Sequence, residues 1–247
     1  MKKDYFFERR TIRKFDSRPV SKELIVSIIE RAAKAPTTGN MQLYSVIETR
    51  SEEGLRNLAS LHFNQPAAAG APLILTVCAD LYRFTRWCRL SDANVGFDNF
   101  MTFLYAFSDA MILTQQIVTI AEMEGLGTCY LGTVLSNTPE IASLLGLPKG
   151  VIPVASISVG WPAEEGEPTE RLRTADIIHS ESYRKDTDED IIEIFKVKEE
   201  YAPNRKFVEE NGKNNLAQVF AEVRYPGEIN EASARKFLEY LKENNCI

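Results

Sequence analysis

Arg9, Arg10 and Arg13 fall within five residues, in the run Arg9-Arg10-Thr11-Ile12-Arg13-Lys14-Phe15. Guanidinium groups suit phosphate because they offer two parallel hydrogen bonds as well as charge. The chain as a whole carries a formal net charge of -6. A local basic cluster on an acidic protein points to a particular anion rather than a diffuse polyanion. One amphipathic helix later comes a polar turn, Pro36-Thr37-Thr38-Gly39-Asn40-Met41-Gln42. Its hydroxyls and amides suit hydrogen bonding to a polyhydroxyl chain. Taken singly, the cluster reads as a solvated surface stretch and the turn as an ordinary loop after a helix stop. Together they can hold a phosphate and a polar ring system, which suggests a nucleotide-like cofactor.

Other candidate chemistry is weaker. Gly125-Leu126-Gly127-Thr128-Cys129-Tyr130 invites comparison with a dinucleotide fingerprint, but Tyr130 stands where the third glycine belongs, and the segment leads into a strand rather than out of one. There is no phosphate loop ending in Gly-Lys-Ser/Thr, no Gly-x-Ser-x-Gly elbow and no His-Glu-x-x-His. Glu164 and Glu165 read as solvated loop charges. The four cysteines form no Cys-x-x-Cys pair, and with only His62 and His179 available no metal site is expected.

The 247 residues suffice for one large domain or two small ones, and 44% hydrophobic with 26% charged residues is ordinary for a soluble globular protein. An acidic balance argues against nucleic acid as a partner. The opening Met-Lys-Lys-Asp lacks an apolar run for a signal peptide, so a cytoplasmic protein is expected. The greasiest stretch, 100–121, contains Ser108, Asp109, Gln115 and Gln116. A spanning helix would leave Asp109 in lipid at high cost, so a helix buried in the protein or at a subunit contact is the better reading, with no membrane partner.

The elements that must position these residues follow from patterning. Ser21 reads as an N-cap, followed by Leu24, Ile25, Ile28, Ile29, Ala32 and Ala33 at helical spacing up to Pro36. Strands are expected at 45–49, 73–78, 128–131 and 153–159, and helices at 52–61, 138–145 and, as the long central element, from about Asn94 to Met123. The irregular alternation suggests a mixed α/β or α+β sheet layered with helices. After Tyr183 a charged stretch, 185–200, is threaded by Ile191, Ile192, Ile194 and Phe195, and a last helix spans about 231–243.

Taken in order, the arginine run, the Thr-Gly-Asn-Met-Gln turn and several later stretches resemble the nitroreductase family of FMN flavoproteins. Those stretches are 125–132 (Gly-Leu-Gly-Thr-Cys-Tyr-Leu-Gly), 145–148 (Leu-Gly-Leu-Pro), 159–162 (Val-Gly-Trp-Pro), Arg171-Leu172 and 179–183 (His-Ser-Glu-Ser-Tyr). The details are most similar to oxygen-insensitive nitroreductases and NADPH–flavin oxidoreductases. The resemblance implies an α+β fold with a central, mainly antiparallel sheet flanked by helices, and a homodimer with FMN at the subunit interface. It implies an FMN-binding domain over 1–183 and, over 184–247, a C-terminal helical extension packed on the main body or the partner subunit.

By motif position, the resemblance assigns Arg9, Arg10 and Thr11 to the phosphate and ribityl end of FMN, Arg13 to the pyrimidine edge, Thr37 to the cofactor turn and Gln65 to the ring. It assigns Tyr130, Leu131, Gly132 and Thr133 to a segment near N5, Arg171 to phosphate and Arg224 to NAD(P)H. No side chain is nominated as catalytic, because the flavin carries the hydride. The implied activity is two-electron ping-pong transfer from NAD(P)H to nitroaromatics, quinones or similar small acceptors. A flavin reductase supplying a partner enzyme and a non-catalytic flavin-binding or sensing protein are the alternatives. Three departures stand out: Thr169-Glu170-Arg171 replaces the family's Lys-Pro-Arg, Arg9 stands at a usual His, and Pro-Thr-Thr-Gly-Asn replaces a serine-rich turn. With only Arg224 near Asn214-Asn215, the choice between NADH and NADPH stays open.

Overall fold

Leu73, Leu75, Val77 and Ala79 alternate with Ile74, Thr76 and Cys78, and all seven are buried. A strand covered on both faces produces this pattern. The computed structural model describes residues 5–96 and 99–247; the charged opening 1–4, expected not to be a signal peptide, lies outside them, as do Phe97 and Asp98. Chain contacts divide the molecule into two units, one of residues up to Glu167 together with Ser233–Ile247, the other Pro168–Ala232.

The elements are α1 (Tyr5–Glu8), α2 (Lys22–Ala32), β1 (Tyr44–Thr49), α3 (Glu52–Leu61), α4 (Pro66–Ala69), β2 (Leu73–Asp80), α5 (Tyr82–Leu90), α6 (Phe100–Met123), β3 (Gly127–Tyr130), α7 (Thr138–Leu144), β4 (Val151–Gly160), α8 (Thr174–Ile177), α9 (Asp188–Glu200), α10 (Ala202–Glu210), α11 (Leu216–Gln218) and α12 (Gly227–Glu243). The strands form one sheet in the order β1-β2-β4-β3. Every pair is antiparallel, with Val46 opposite Val77, Leu75 opposite Ile157 and Cys129 opposite Ser158. The α+β class and antiparallel sheet implied by the family resemblance are both present.

One face of the sheet packs with α2 and α6 in a core that includes Ile28, Leu75, Leu113, Ile117 and Ile157. The other meets α3, α4 and α7 through Leu58, Ile74, Leu131 and Ile141. That second face also buries Thr76 and Ser156, whose hydroxyls bond each other at 3.2 Å, and Ser158, which donates to the Ala67 carbonyl at 2.7 Å. Buried hydroxyls satisfied in this way cost little.

Ser21 caps α2 as expected, accepting from the Leu24 N–H. The central helix starts later than the expected 94: Asn99 is its N-cap, accepting from Thr102 N–H at 3.2 Å. α6 is long and apolar enough to cross a membrane by length and composition. Its stripe of Phe103, Ala106, Ala110, Leu113, Ile117 and Ala121 instead packs in the sheet core.

In the second unit, Thr187 and Asp190 form a capping box at the start of α9, and Glu199 accepts from the Leu216 N–H at 2.8 Å, tying α9 to the start of α11. From Ser233 onward, α12 belongs to the main unit, where Leu241 and the following Cys246 are buried in the core.

Candidate functional site

The arginine run is extended and lies along the sheet's β3 edge. The Ile12 N–H donates to the Thr128 carbonyl at 3.0 Å, Asp16 N–H to Trp161 at 2.9 Å, and Phe15 bridges Pro162. Gly127 makes this approach possible: a Cβ there would stand 2.6 Å from Ile12 Cβ. The glycine that resembled a dinucleotide fingerprint therefore serves strand packing.

Three arginines emerge from this strip in different circumstances. Arg9 pairs with Glu122 at 3.3 Å, and Glu122 also accepts from Tyr5 at 2.7 Å and Thr128 at 2.5 Å. Arg10 donates Nε to the Glu8 carbonyl at 3.1 Å. Arg13 is exposed, and its guanidinium has no hydrogen bond or ion pair among the described residues. Its backbone N–H, like that of Lys14, donates to Glu164 Oε1, at 2.7 and 3.1 Å. Glu164 is thus no idle loop charge; it fixes the strip from which Arg13 projects. Thr11 is half-buried between these arginines. Beside them, a recess of about 250 Å³ is lined by Arg9, Arg10, Glu8 and Glu122 among others.

β3 leads directly into the segment 131–133. Burial pushes the Tyr130 hydroxyl up to about 12, with the Arg9 charge working against it. Burial likewise raises the Cys129 thiol, while Arg13 and Arg9 work to lower it, which places both charges within reach of β3. Leu131 is buried and its N–H donates to the Ser156 carbonyl at 2.8 Å. Gly132 then opens a 3-10 turn, Gly132–Leu135. As the first residues of a helical turn, Gly132 and Thr133 have no intrahelical acceptor for their N–H groups. A Cβ on Gly132 would have no atom within 4 Å, so the space above it is open.

The Thr133 hydroxyl lies 2.8 Å from His62 Nδ1. His62 is fully buried, its Nε2 has no partner, and burial pushes its pKa down to about 4, so the imidazole is neutral at physiological pH. His62 belongs to the same loop as Gln65, whose N–H donates to the His62 carbonyl at 3.2 Å, and Asn137 pins the loop by donating to Leu61 at 2.6 Å. Gln65 is half-buried at the start of α4.

The structure thus joins Arg9–Arg13, Tyr130–Thr133 and Gln65 in one hydrogen-bonded neighbourhood. Thr37 sits in a different place, in the turn anchored on α6 by Asp109, which accepts from Thr38 N–H at 2.8 Å and Leu43 N–H at 3.4 Å. Arg171 and Arg224 lie in the second unit. Arg171 donates to the Glu170 carbonyl at 2.8 Å and to Thr169, and the Arg224 guanidinium stacks 4.5 Å from the Phe207 ring centre. Glu170, the acid beside Arg171, accepts from Lys198 at 3.2 Å and Asn204 at 3.1 Å. Burial works to raise its pKa, but these bonds outweigh that and hold the carboxyl below its usual range. Sequence reasoning missed His62, Glu122 and Glu164 as site supports. Asp109 was visible only as an acid inside an apolar helix.

The sequence model of the nitroreductase family matches residues 7–161, which contain the strip, β3, the 131–133 turn and Gln65. The chain belongs to the nitroreductase family. Among similar proteins, a Cr(VI) reductase of Pseudomonas sp. (strain G-1) is 30% identical over 92% of this chain and 94% of its own. A Bacillus subtilis (strain 168) protein named FMN reductase [NAD(P)H] is 33% identical over 71% of this chain and 72% of its own. A Bacteroides fragilis protein of known crystal structure is 41% identical, covers 98% of both chains and superposes with a TM-score of 0.95. The Bacteroides fragilis likeness runs over nearly the whole length, beyond residue 161 and through the second unit.

Proposed function

We propose that this nitroreductase-family chain is an FMN-dependent NAD(P)H oxidoreductase that reduces nitroaromatics, quinones or related small acceptors, as a cytoplasmic homodimer. The observation that carries the reading is the neighbourhood of Arg13, the Gly132–Thr133 N–H pair and the open space above Gly132. FMN demands cations for its phosphate, donors for the polar edge of its ring and a clear face for a second ring to stack. The residues fit those demands: the strip concentrates positive charge and the 132–135 turn supplies free donors, while the unpaired Thr37 hydroxyl lies apart from both and would reach the cofactor from the other subunit of the homodimer.

What FMN supplies when bound is hydride chemistry, taken from NAD(P)H and delivered to the acceptor as an electron pair. The chain's residues bind and orient. Arg9, Arg10 and Thr11 hold the phosphate and ribityl end, while Arg13 adds positive charge where reduction builds negative charge. The Gly132 and Thr133 N–H groups orient the ring edge, with Tyr130 and Leu131 behind them and Gln65 on the neighbouring loop. Gly132, without a side chain, leaves the stacking face clear. No side chain need move a proton. Glu170 is neutralised by Lys198, so the altered Thr169-Glu170 pair is no bar to binding an anion. Exposed Met101, Leu104, Tyr105 and Ile112 share one face of α6, an apolar face of the kind a second subunit covers.

Steady-state kinetics tests the reading, with NADH or NADPH as donor and nitrofurazone, a quinone or free FMN as acceptor. Parallel double-reciprocal lines with a nitro or quinone acceptor are expected. Turnover of free FMN alone would favour a flavin reductase serving a partner. No turnover by flavin-loaded protein would leave only the binding role.

A further inference from the structure

Asp109 lies near the middle of α6 and is 1% exposed. A carboxylate at that depth is costly unless donors meet it. Its Oδ1 accepts from the Thr38 N–H at 2.8 Å and the Thr38 hydroxyl at 3.1 Å, and its Oδ2 accepts from the Leu43 N–H at 3.4 Å. No cation pairs with it among the described residues. All of its donors come from one segment, 38–43, so this buried charge is committed to a single turn 71 residues away in sequence.

That turn needs an external anchor. Gly39, Asn40 and Gln42 have φ of 55°, 56° and 55°. Glycine and asparagine tolerate this left-handed region, but glutamine is strained there. Within the turn, the Asn40 N–H reaches Thr37 O at 3.3 Å and the Met41 N–H reaches Thr38 O at 3.0 Å. The resulting conformation leaves the Thr37 hydroxyl buried without a partner. A buried, unpaired hydroxyl costs about 1–3 kcal/mol and calls for an explanation. A hydroxyl of a bound ligand would supply the missing partner.

We propose that Asp109 is a positioning residue that holds the Thr37–Gln42 turn in its strained form, so that Thr37 meets the ribityl hydroxyls of the flavin. The proposal rests on the FMN reading above, in which this turn serves the cofactor, and adds to it the residue that fixes the turn. Asp109 itself touches no cofactor; it acts through Thr38 and the turn.

The test titrates FMN, riboflavin and lumiflavin, which has a methyl in place of the ribityl chain, into apoprotein by flavin fluorescence. Wild-type protein that binds none of the three would defeat the FMN reading, and this proposal with it. Where wild type binds, Asp109→Asn keeps the side-chain size but turns one acceptor into a donor. Losing one or two hydrogen bonds predicts about a tenfold rise in the FMN and riboflavin dissociation constants, with lumiflavin unchanged. Thr37→Val should reproduce that selective loss, Thr37→Ser should restore affinity, and the Asp109→Asn/Thr37→Val pair should lose no more than either alone. Should Asp109→Asn fail to fold, Thr38→Val removes only the 3.1 Å bond and should show the same selectivity at smaller size. Unchanged riboflavin affinity in these variants, or an equal loss for lumiflavin, would overturn the proposal while leaving the FMN reading intact.

Discussion

Arg13 and Arg9 sit on the same strip yet carry different prospects. Arg9 shares Glu122 with Tyr5 and Thr128, whereas the Arg13 guanidinium is uncommitted and only its backbone is fixed, by Glu164. Removing Arg13 therefore takes away charge without unsettling the fold. Arg13→Ala should raise the FMN dissociation constant about tenfold, the size of one charge-assisted contact, with little change in melting temperature; equal FMN affinity in a fluorescence titration would remove Arg13 from the site. His62 gives a second prediction. Burial holds its folded pKa near 4, below the ordinary 6.5. Between these values the unfolded chain binds more protons, so this contribution to stability is complete above about pH 6.5 and is lost as pH falls toward 4. His62→Asn should flatten the fall in melting temperature over that window, and identical slopes in both proteins would contradict it. At this scale the arginine run was legible in the sequence because its members are adjacent. Asp109 and His62 were not, since their partners, Thr38 and Thr133, are each 71 residues away.

The elements show how backbone placement decides what the residues can do. The strip reaches β3 only because Gly127 has no Cβ to strike Ile12. Gly127→Ala should cost about 1–3 kcal/mol, the usual range for overpacking, and should weaken FMN binding by shifting the arginines. A urea midpoint and a flavin titration measure both; a stable variant with normal affinity would show that the strip tolerates displacement. The strands and five of the twelve α-helices among the described residues, α2, α3, α6, α7 and α12, were legible from alternation and spacing. α5 was not, because Tyr82–Leu90 carries four residues of Phe, Trp, Tyr or Leu type among three arginines, and only Cys88 is buried. The start of α6 was misplaced because Asn94 is itself a cap-type residue, yet the Asn99 side chain is the cap.

For the whole molecule, the apolar length of α6 was plain in the sequence, but which side packs inside was not. Its buried stripe leaves Leu104 and Ile112 on an exposed face. If that face is the subunit contact, Leu104→Glu with Ile112→Glu should yield a folded monomer by light scattering, with FMN affinity reduced. A dimer that survives both changes would place the contact elsewhere. Patterning suggested a mixed α/β or α+β sheet layered with helices, while the family likeness supplied the antiparallel arrangement and the cofactor that residue types alone left as a nucleotide-like anion.

The most direct measurement is the absorbance spectrum of FMN-reconstituted protein during anaerobic addition of NADH and then NADPH. Flavin bands that bleach with either donor, and return when nitrofurazone or a quinone is added, are the predicted result. Protein that retains no flavin after reconstitution, or bound flavin that neither donor bleaches, would contradict the account.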